Sequence, residues 1–231
     1  MLLQACLNGA RSRDEHPALP VTAEQLAADA RACVAVGAGA IHLHPRDADG
    51  RESLGAAVVD PVVAQVREAC GVPIGVATGA WVEPDPERRA RLVAAWREPA
   101  FASVNLSEGG AAAVMRALLD AGIGVEAGVW SPEDAERLAA TGLADRVLRV
   151  LVEVMEGGPE EAGAIEAALD ELGIPARRLV HGEEAACWPV LRHARANGRD
   201  TRIGLEDTLV LPDGSPAPGN EALVRAALEV G

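Results

Sequence analysis

The stretch LLQACLNGARSRDEH, residues 2–16, decides between the two parallel-sheet folds that this sequence permits. It begins with an apolar run typical of a buried strand and continues into a polar turn. An open doubly wound sheet usually carries a glycine-rich phosphate loop at this point, directly after its first strand. This turn contains neither GxGxxG nor GxxxxGK. The sequence therefore favours a closed barrel over an open nucleotide-binding sheet.

Short apolar runs of the same kind recur along the whole chain, each followed by a polar or glycine-rich turn and a longer amphipathic stretch. Strict alternation of strands and helices predicts a parallel sheet with right-handed crossovers, and eight units close into a barrel. No linker divides the chain, so residues 1–231 are predicted to form a single (β/α)₈ TIM-barrel domain. The eight runs are residues 2–8, 40–45, 72–78, 101–107, 124–130, 149–155, 178–182 and 201–207.

Helix boundaries are marked most clearly in two of the amphipathic stretches. In TAEQLAADARACVAVG, Thr22 is predicted to cap the N-terminus and Gly37 to follow the last turn. In SPEDAERLAATG, Ser131 is the predicted cap, Pro132 opens the first turn and Gly142 ends the helix. The terminal pattern NEALVRAALEVG predicts a last helix that closes the eighth unit.

Composition indicates which residues fill the core and which classes of partner are excluded. The chain is 49% hydrophobic but has one Phe, no Tyr and four Trp, so Ala, Val and Leu must fill the core. Such small residues suit repeated helix-on-sheet packing. The net charge of −14 repels a phosphate backbone or an anionic membrane. We therefore expect no nucleic-acid partner.

The cysteines and the first residues bear on the cellular compartment. Cys6, Cys33, Cys70 and Cys187 are scattered without a CxxC motif, and we predict that they are reduced and mostly buried. The start MLLQACLNGA lacks a basic n-region and a full apolar h-region. No apolar run approaches the roughly 20 residues that span a bilayer. We expect a cytoplasmic protein with no membrane partner.

The chemistry-bearing residues begin in AIHLHPRDADG, residues 40–50. His42 and His44 end the second strand-like run, and a spacing of two places both imidazoles on one face of a strand. Pro45 biases His44 toward an extended backbone. In a (β/α)₈ barrel this is the catalytic end of the strand.

The last run, TRIGLED, repeats this arrangement with other chemistry. Arg202, Gly204 and Glu206 are predicted to share one strand face, with Gly204 leaving room between the charged side chains, and Asp207 begins the turn. Only the first strand separates this strand from the second, so Glu206 can approach both histidines. Two imidazoles and one carboxylate with open positions predict a catalytic divalent-metal site, with zinc or iron as the leading candidates.

The remaining histidines and the turn after the second run carry weaker signals. His181, at the end of the seventh run, either lines the site or packs in the core. His16 and His193 are expected at the surface. Arg46 and Asp47 either pair with each other or belong to the site.

These residues carry a resemblance to a known family. The segments NGAR (8–11), HPALPVTAEQLAADA (16–30), AIHLHPRDADGR (40–51), TGA (78–80), GVEAG (124–128) and TRIGLEDTL (201–209) look like the beta-keto acid cleavage enzyme family. The best-known activity of that family is 3-keto-5-aminohexanoate cleavage. The resemblance implies a zinc-dependent (β/α)₈ enzyme, commonly a homotetramer. It would condense a beta-keto acid with acetyl-CoA and release acetoacetate and a new CoA thioester.

Matched position by position, the resemblance assigns roles to eight residues. It places zinc on His42, His44 and Glu206, in agreement with the strand geometry. The catalytic roles fall on Arg202, Asp207 and Glu126, and substrate contacts on Thr78 and Asn105. Arg11 is a further candidate substrate contact because of its position directly after the first strand. The chain differs from relatives in being shorter and in having Ala77 where some members have serine. It also has Arg11 near the position of a glutamate that binds the amine of aminohexanoate.

Chemical logic agrees with these roles. A divalent cation that chelates the keto and carboxylate oxygens would stabilise an enolate at C2. Asp207 is placed to remove the C2 proton, and Arg202 to orient and polarise the substrate. A guanidinium at Arg11 would repel an amine, so we expect a neutral or anionic tail, unless Arg11 pairs with Asp14 or Glu15 instead. The involvement of acetyl-CoA rests on the resemblance alone.

Three other functions remain open from the sequence. A metal-dependent hydrolase of the amidohydrolase type also begins with HxH, but it needs further histidines that the fifth and sixth runs do not supply. A non-haem iron oxygenase uses two histidines and a carboxylate on a different fold. A degenerate relative could bind an acid without catalysis, although the intact HLH and RIGLED motifs argue against it.

Overall fold

Eight parallel strands and eight α-helices alternate along the chain in the computed structural model, which describes residues 1–230. Gly231, the last residue of the terminal helical pattern, lies outside the described residues. The strands are β1 Leu3–Cys6, β2 Ala40–Leu43, β3 Ile74–Ala77, β4 Phe101–Asn105, β5 Gly124–Val129, β6 Arg149–Val154, β7 Arg178–Gly182 and β8 Thr201–Ile203. The helices are α1 Ala23–Ala35, α2 Ala56–Cys70, α3 Pro86–Ala94, α4 Ala111–Asp120, α5 Pro132–Ala140, α6 Pro159–Glu171, α7 Cys187–Ala196 and α8 Asn220–Glu229.

The strands form one sheet in the order β7-β6-β5-β4-β3-β2-β1-β8, so β1 lies between β2 and β8 as predicted. The two ends of this sheet meet between β7 and β8. There the amide of Val180 donates to the carbonyl of Asp200 at 2.8 Å, and the hydroxyl of Thr201 donates to the carbonyl of Val180 at 2.8 Å. The predicted (β/α)₈ barrel fold is confirmed.

Small aliphatic side chains fill the space between the strands and the helices, as the composition predicts. The only Phe, Phe101, takes a special place: its ring occupies the position that a Cβ at Gly75 on the neighbouring strand would need, 1.9 Å away. Arg149 extends over the same ring, with its guanidinium 5.1 Å from the ring centre. The barrel interior is thus partly filled by charged side chains beneath the mouth.

The predicted helix caps are confirmed. Thr22 accepts a hydrogen bond from the amide of Gln25 at 3.3 Å, and the Gln25 side chain accepts one from the amide of Thr22 at 3.1 Å, which completes a capping box. Ser131 accepts from the amide of Asp134 at 3.3 Å, with Pro132 in the first turn. Gly142 follows α5 with a φ of 67°, which a left-handed helix end favours.

The last strand is shorter than predicted. It ends at Ile203, and Gly204 opens a turn in which the amides of Asp207 and Thr208 donate to the Gly204 carbonyl at 2.9 and 3.0 Å. The prediction that Arg202, Gly204 and Glu206 share one strand face was therefore wrong. Gly204 is needed because a Cβ there would lie 1.8 Å from the carbonyl oxygen of Cys6 on β1.

The cysteines match their prediction: all four are free, and only Cys70 is partly exposed. Within residues 1–230, no helix combines the length and the apolar character that crossing a membrane would require.

Candidate metal centre and active site

A cavity of about 390 Å³ opens at the carboxyl ends of the strands, where catalytic sites of this fold lie. His42 and His44 reach it from β2 and the residue after it, and Glu206 reaches it from the turn after β8. The polar and aromatic side chains around it are Arg11, Glu15, His42, His44, Trp81, Ser103, Asn105, Trp130, Glu153, Glu183, Glu184, Arg202 and Glu206.

Two histidines and one carboxylate converge at the floor of this cavity. The Nε2 atoms of His42 and His44 each lie 3.8 Å from Oε1 of Glu206. One ligand atom from each of the three side chains can be chosen so that all lie within 4.8 Å of one another. These separations are too long for hydrogen bonds and leave room for an ion between the donors.

His44 is fixed on both its backbone and its ring. The Asn8 side chain accepts from the His44 amide at 2.9 Å and donates to the His44 carbonyl at 3.0 Å. The Nδ1 atom of His44 lies 2.8 Å from Oε2 of Glu52, which leaves Nε2 to face the cavity. Trp81 stacks on the ring at 6.1 Å and donates its indole N–H to the same Glu52 oxygen at 3.1 Å. A carboxylate behind a histidine is typical of metal sites.

Burial and charge keep these groups in the protonation states that bind cations. Burial lowers the pKa of His42 to about 3, against a smaller opposing effect of Glu206, so the imidazole is neutral near pH 7. Burial alone would raise the pKa of Glu206, but Arg202 and the two histidines lower it to about 2. A neutral imidazole and an ionised carboxylate are the ligand forms.

Arg202 connects this cluster to the acidic group behind it. Its Nη2 lies 3.0 Å from Oε1 of Glu206 and 2.8 Å from Oδ1 of Asp207, and its Nε donates to Asp207 at 3.0 Å and to Nδ1 of His181 at 3.2 Å. Burial raises the pKa of Asp207 well above its ordinary value, although Arg202 opposes this. In the described chain Oδ2 of Asp207 has no hydrogen-bond partner.

Comparison with known proteins identifies the family. The family model of the beta-keto acid cleavage enzymes matches residues 1–231. The chain belongs to this enzyme family. The resemblance carried by the HLHPRD and RIGLED segments is thereby confirmed.

Solved structures share the fold at low sequence identity. A ternary complex of ObcA with a C4-CoA adduct and oxalate matches with a TM-score of 0.73 and 17% identity, over 92% of this chain and 63% of that chain. The chain thus spans less than two thirds of the length of ObcA. The 3-dehydroquinate dehydratase from Geobacillus kaustophilus HTA426 matches with a TM-score of 0.62 and 16% identity, over 99% and 90% of the two chains. The N-acetylmannosamine-6-phosphate 2-epimerase from Clostridium perfringens matches with a TM-score of 0.60 and 12% identity, over 90% and 87%.

The predicted substrate contacts of this family member lie in different surroundings. Asn105 lines the cavity and donates its amide to Glu108 at 3.2 Å. Thr78 is buried outside the cavity lining and donates its hydroxyl to the Ser103 carbonyl at 2.7 Å. Arg11 lines the cavity, but all three guanidinium nitrogens have acceptors, and these are Glu184, Glu15 at 3.3 Å and the Glu206 carbonyl at 3.2 Å.

The predicted catalytic residue Glu126 lies in the barrel interior, outside the cavity lining. It is fully buried and accepts from Nε of Arg149 at 2.6 Å and from Gln4 at 3.2 Å. Burial raises its pKa, and Arg149 opposes that shift. The structure thus pairs Glu126 with a neighbouring strand, and its catalytic role stays a prediction.

One open alternative, for Arg46 and Asp47, is excluded, and one expectation, for His16, is corrected. Arg46 and Asp47 do not pair with each other, because Arg46 donates to the carbonyls of Gly9 and Arg11 at 3.0 and 2.5 Å while Asp47 accepts from backbone amides of its own turn. His16 is 9% exposed and not at the surface, since its Nε2 lies 2.9 Å from the carbonyl of Ala217.

Sequence reasoning missed two acidic residues that shape the site. Glu52 holds His44, and Glu153 on β6 reaches the cavity from the wall opposite the histidines. Burial raises the pKa of Glu153 to about 8, with Arg202 opposing and Glu183 adding to the shift. In RVLVEVM, residues 149–155, Glu153 alternates with valines, and this pattern marks it as facing the barrel interior.

Proposed function

We propose that this chain is a zinc-dependent beta-keto acid cleavage enzyme. It would convert a beta-keto acid and acetyl-CoA into acetoacetate and the acyl-CoA of the original keto acid. The convergence of His42, His44 and Glu206 at the barrel mouth carries this proposal. C2 of the beta-keto acid, after losing a proton, would bond to the acetyl carbon as the bond from that carbon to the CoA sulfur breaks. The CoA sulfur would then bond to the original keto carbon as the bond from that carbon to C2 breaks, and C2 would regain a proton to give acetoacetate.

The donor set fits a divalent cation. Both histidines present a nitrogen toward the same carboxylate oxygen, and the other Glu206 oxygen, Oε2, is buried without a partner in the described part of the chain. A nitrogen-rich set with one carboxylate suits zinc or iron, and family membership favours zinc. A cation bound there would supply Lewis-acid polarisation of the keto oxygen and offset the charge of the substrate carboxylate.

Arg202 would bind a negatively charged substrate oxygen, and Asp207 would accept the proton from C2. Arg202 presents its guanidinium at the cavity wall, where it can hold a substrate oxygen. Asp207 would accept the C2 proton at Oδ2, the oxygen without a partner. Asp207 lies behind Arg202, so this step requires the Arg202 side chain to turn when the substrate binds.

The proposed use of acetyl-CoA is supported by related proteins. ObcA was solved with a C4-CoA adduct and oxalate, a CoA derivative and a small dicarboxylate, on the same fold. Family membership points to the same type of co-substrate. The homotetramer and the substrate contacts of Thr78 and Asn105 belong to the proposal on the same ground.

Metal analysis followed by an activity assay tests the function. We expect about one zinc per chain, and acetoacetate released from a beta-keto acid only when acetyl-CoA is present. A metal-free protein that binds neither zinc nor iron would contradict the metal site. Metal-loaded protein that forms no acetoacetate from any member of a beta-keto acid panel would contradict the reaction.

A further inference from the structure

Glu153 is a buried carboxyl group on β6 that lines the cavity and has no part in the proposed reaction. In the closed strand order, β6 lies directly across the barrel from β2, so this side chain faces the metal ligands over the cavity. Within residues 1–230, no arginine nitrogen lies within 4.0 Å of its oxygens, and the nearest basic atom is Nε2 of His181 at 3.9 Å. An ionised carboxylate here would be buried without a compensating cation.

The imidazole that faces Glu153 is neutral and supplies no positive charge. Burial, together with Arg202, lowers the pKa of His181 well below its ordinary value. Nε of Arg202 donates to Nδ1 of His181 at 3.2 Å, which places the ring proton on Nε2, the nitrogen on the Glu153 side. His181 therefore contributes only an N–H to the surroundings of this carboxyl group.

Two oxygens converge above Gly128 of β5. A Cβ at Gly128 would lie 2.6 Å from Oδ1 of Asn105 and 3.1 Å from Oε1 of Glu153, so both oxygens border the same small volume. The Asn105 amide nitrogen points to Glu108, at 3.2 Å, which leaves its oxygen facing this volume. Two acceptors without a donor repel each other, whereas a proton on Oε1 of Glu153 would give the pair one donor. This arrangement therefore favours a neutral Glu153.

The charged groups around Glu153 agree with a proton on it near neutral pH. Burial raises the pKa of Glu153 to about 8; Arg202 opposes the shift, and Glu183 and Glu206 add to it. Arg202 is itself bound by Asp207 at 2.8 Å and by Glu206 at 3.0 Å, and these carboxylates reduce its effect on Glu153. Glu153 is thus an O–H donor at neutral pH and loses that proton as the pH rises through about 8.

We propose that Glu153 is a further catalytic residue, a neutral acid that donates its O–H to the acetyl carbonyl oxygen of acetyl-CoA during the attack by C2. This inference rests on the proposed function. As the bond from C2 to the acetyl carbon forms, the π electron pair of that carbonyl moves onto its oxygen, and the pair returns when the bond to the CoA sulfur breaks. The acetyl oxygen replaces Asn105 as the acceptor, and the proton stays on Glu153 throughout.

The place of Glu153 suits this oxygen better than any other oxygen of the reaction. In the proposed reaction, the metal and Arg202 bind oxygens of the beta-keto acid on the β2 and β8 side of the cavity. The acetyl oxygen then depends on a donor from the opposite side. Arg11 is held by Glu15 and Glu184. A neutral carboxylic acid that is already in place can stabilise an oxyanion without adding a charge of its own.

The carbonyl stretch of bound acetyl-CoA, isotope-labelled at the acetyl carbonyl, tests this contact without turnover. Infrared difference spectra are recorded on the zinc-loaded enzyme with no keto acid present. In the wild type, we expect a shift to lower frequency on the acid side of the Glu153 pKa that is lost on the basic side. Glu153→Gln keeps an N–H donor and cannot ionise, so its smaller shift should not change with pH. Glu153→Ala should show no shift.

Rates measured with a beta-keto acid panel extend the test to catalysis. The wild-type kcat/KM should fall as the pH rises through about 8, because ionised Glu153 has no O–H to donate. On the acid side, Glu153→Gln should stay within about 10-fold of the wild type, and it should show no such fall. Glu153→Ala should lose about 10²- to 10³-fold with its zinc content unchanged. Glu160→Gln, which removes the same charge from an exposed position on α6, should behave as the wild type.

Each outcome assigns a failure to one of the two proposals. A wild-type carbonyl stretch that does not change with pH, a full shift in Glu153→Ala, or a basic fall of kcat/KM retained in Glu153→Gln would overturn the role of Glu153. If Glu153→Ala does not fold, the wild-type pH dependence and the near-isosteric Gln variant still decide. Wild-type enzyme that binds acetyl-CoA but forms no acetoacetate contradicts the proposed function alone, because the infrared comparison still reads the contact. Acetyl-CoA that does not bind would overturn both.

Discussion

Glu52 illustrates how a single oxygen outside the metal cluster can set its geometry. Its Oε2 lies 2.8 Å from Nδ1 of His44 and 3.1 Å from the indole nitrogen of Trp81, which stacks on the same imidazole. The ring is thus fixed in the orientation that points Nε2 at Glu206. Glu52 acts through His44 and is a positioning residue.

Removal of this carboxylate should weaken metal binding. We expect Glu52→Ala to reduce zinc affinity about 10- to 100-fold, the range typical of partners behind a ligating histidine. Glu52→Gln keeps an acceptor oxygen and should restore part of that loss. Titration against a chromogenic chelator measures the affinity directly. Unchanged affinity in Glu52→Ala would mean that the backbone clamp from Asn8 suffices to place His44.

Substitution of Asp207 should impair proton transfer and leave metal binding unchanged. Asp207→Asn preserves the shape of the side chain and an oxygen for Arg202, so zinc content should stay at the wild-type value. The turnover number should fall about 10²- to 10⁴-fold, as for the loss of a general base. Metal analysis and initial rates on the same preparation separate the two effects. Metal loss in this variant would show that Asp207 supports Glu206 instead.

The convergence of His42, His44 and Glu206 could be predicted from the sequence because each lies at or beyond the carboxyl end of its strand. The HxH pair follows from strand geometry, and Glu206 from the position of the eighth unit. Glu52 and Glu153 carry weaker local signals. Glu52 lies in the loop between β2 and α2, and the alternation around Glu153 places its side chain inside the barrel without assigning it a role. The place of Glu153 in the site can be recognised only when the structure shows which residues lie across the barrel from it.

The turn after β8 shows how tightly one element constrains the site. Gly204 passes so close to β1 that any side chain would collide with the Cys6 carbonyl, a backbone atom that cannot rotate away. The same turn carries Glu206 and Asp207. The close approach of Gly204 to β1 therefore sets the positions of Glu206 and Asp207.

Gly204→Ala should disrupt fold and site together. We expect a loss of about 2–4 kcal/mol in the free energy of unfolding, typical of a clash or strain in a packed core, with loss of bound zinc. Gly163→Ala is the matched control, since a Cβ at this position in α6 meets nothing within 4 Å. That control should gain about 0.5–1 kcal/mol through helix propensity. Urea unfolding measures both; a Gly204→Ala protein as stable as wild type would contradict the constraint.

The contact between α1 and α8 contains a partly buried acid that should make stability depend on pH. Asn220 donates its amide to Asp29 at 2.6 Å. Burial raises the pKa of Asp29 from 3.8 to about 6, although the Asn220 hydrogen bond opposes this. A raised carboxyl pKa in the folded state means that stability is lost as the pH rises from about 4 to 6.

Asp29→Asn should therefore stabilise the protein most at neutral and basic pH. The amide keeps an acceptor for Asn220 and has no charge to bury. We expect a gain of about 1–2 kcal/mol at pH 8 and a smaller gain at pH 5. Urea unfolding at the two pH values gives the comparison. A gain of equal size at both would show that Asp29 titrates normally.

Helix ends could be predicted better than strand ends. Thr22, Ser131 and Gly142 specify caps through local hydrogen bonds and backbone preference, and the structure places all three as predicted. The end of β8 depends on how closely β1 approaches Gly204, which no local pattern in TRIGLED encodes. The sequence therefore predicted which residues gather at the mouth, but not that Glu206 belongs to a turn.

For the whole molecule, the layer that maintains the fold is separate from the layer that carries the chemistry. The apolar core lies between the strands and the helices, whereas the proposed ligands lie at or beyond the carboxyl ends of β2 and β8. A (β/α)₈ barrel packed in this way can fold without contributions from the residues at its catalytic mouth. If the chain forms one domain, as predicted, the metal-free protein should unfold in a single transition.

Zinc should therefore stabilise the barrel without being required for it. Metal-free protein and Glu206→Gln should both show native far-UV circular dichroism and one cooperative thermal transition. Zinc at 100 times its Kd should stabilise the wild type by about 2.7 kcal/mol, because it binds only the folded chain. In a chain of this size that corresponds to a rise in Tm of about 5–10 °C. Glu206→Gln has lost the charged ligand and should show no rise. An unfolded apo protein would make the metal a structural element of the barrel, and an equal rise in Glu206→Gln would place the zinc elsewhere.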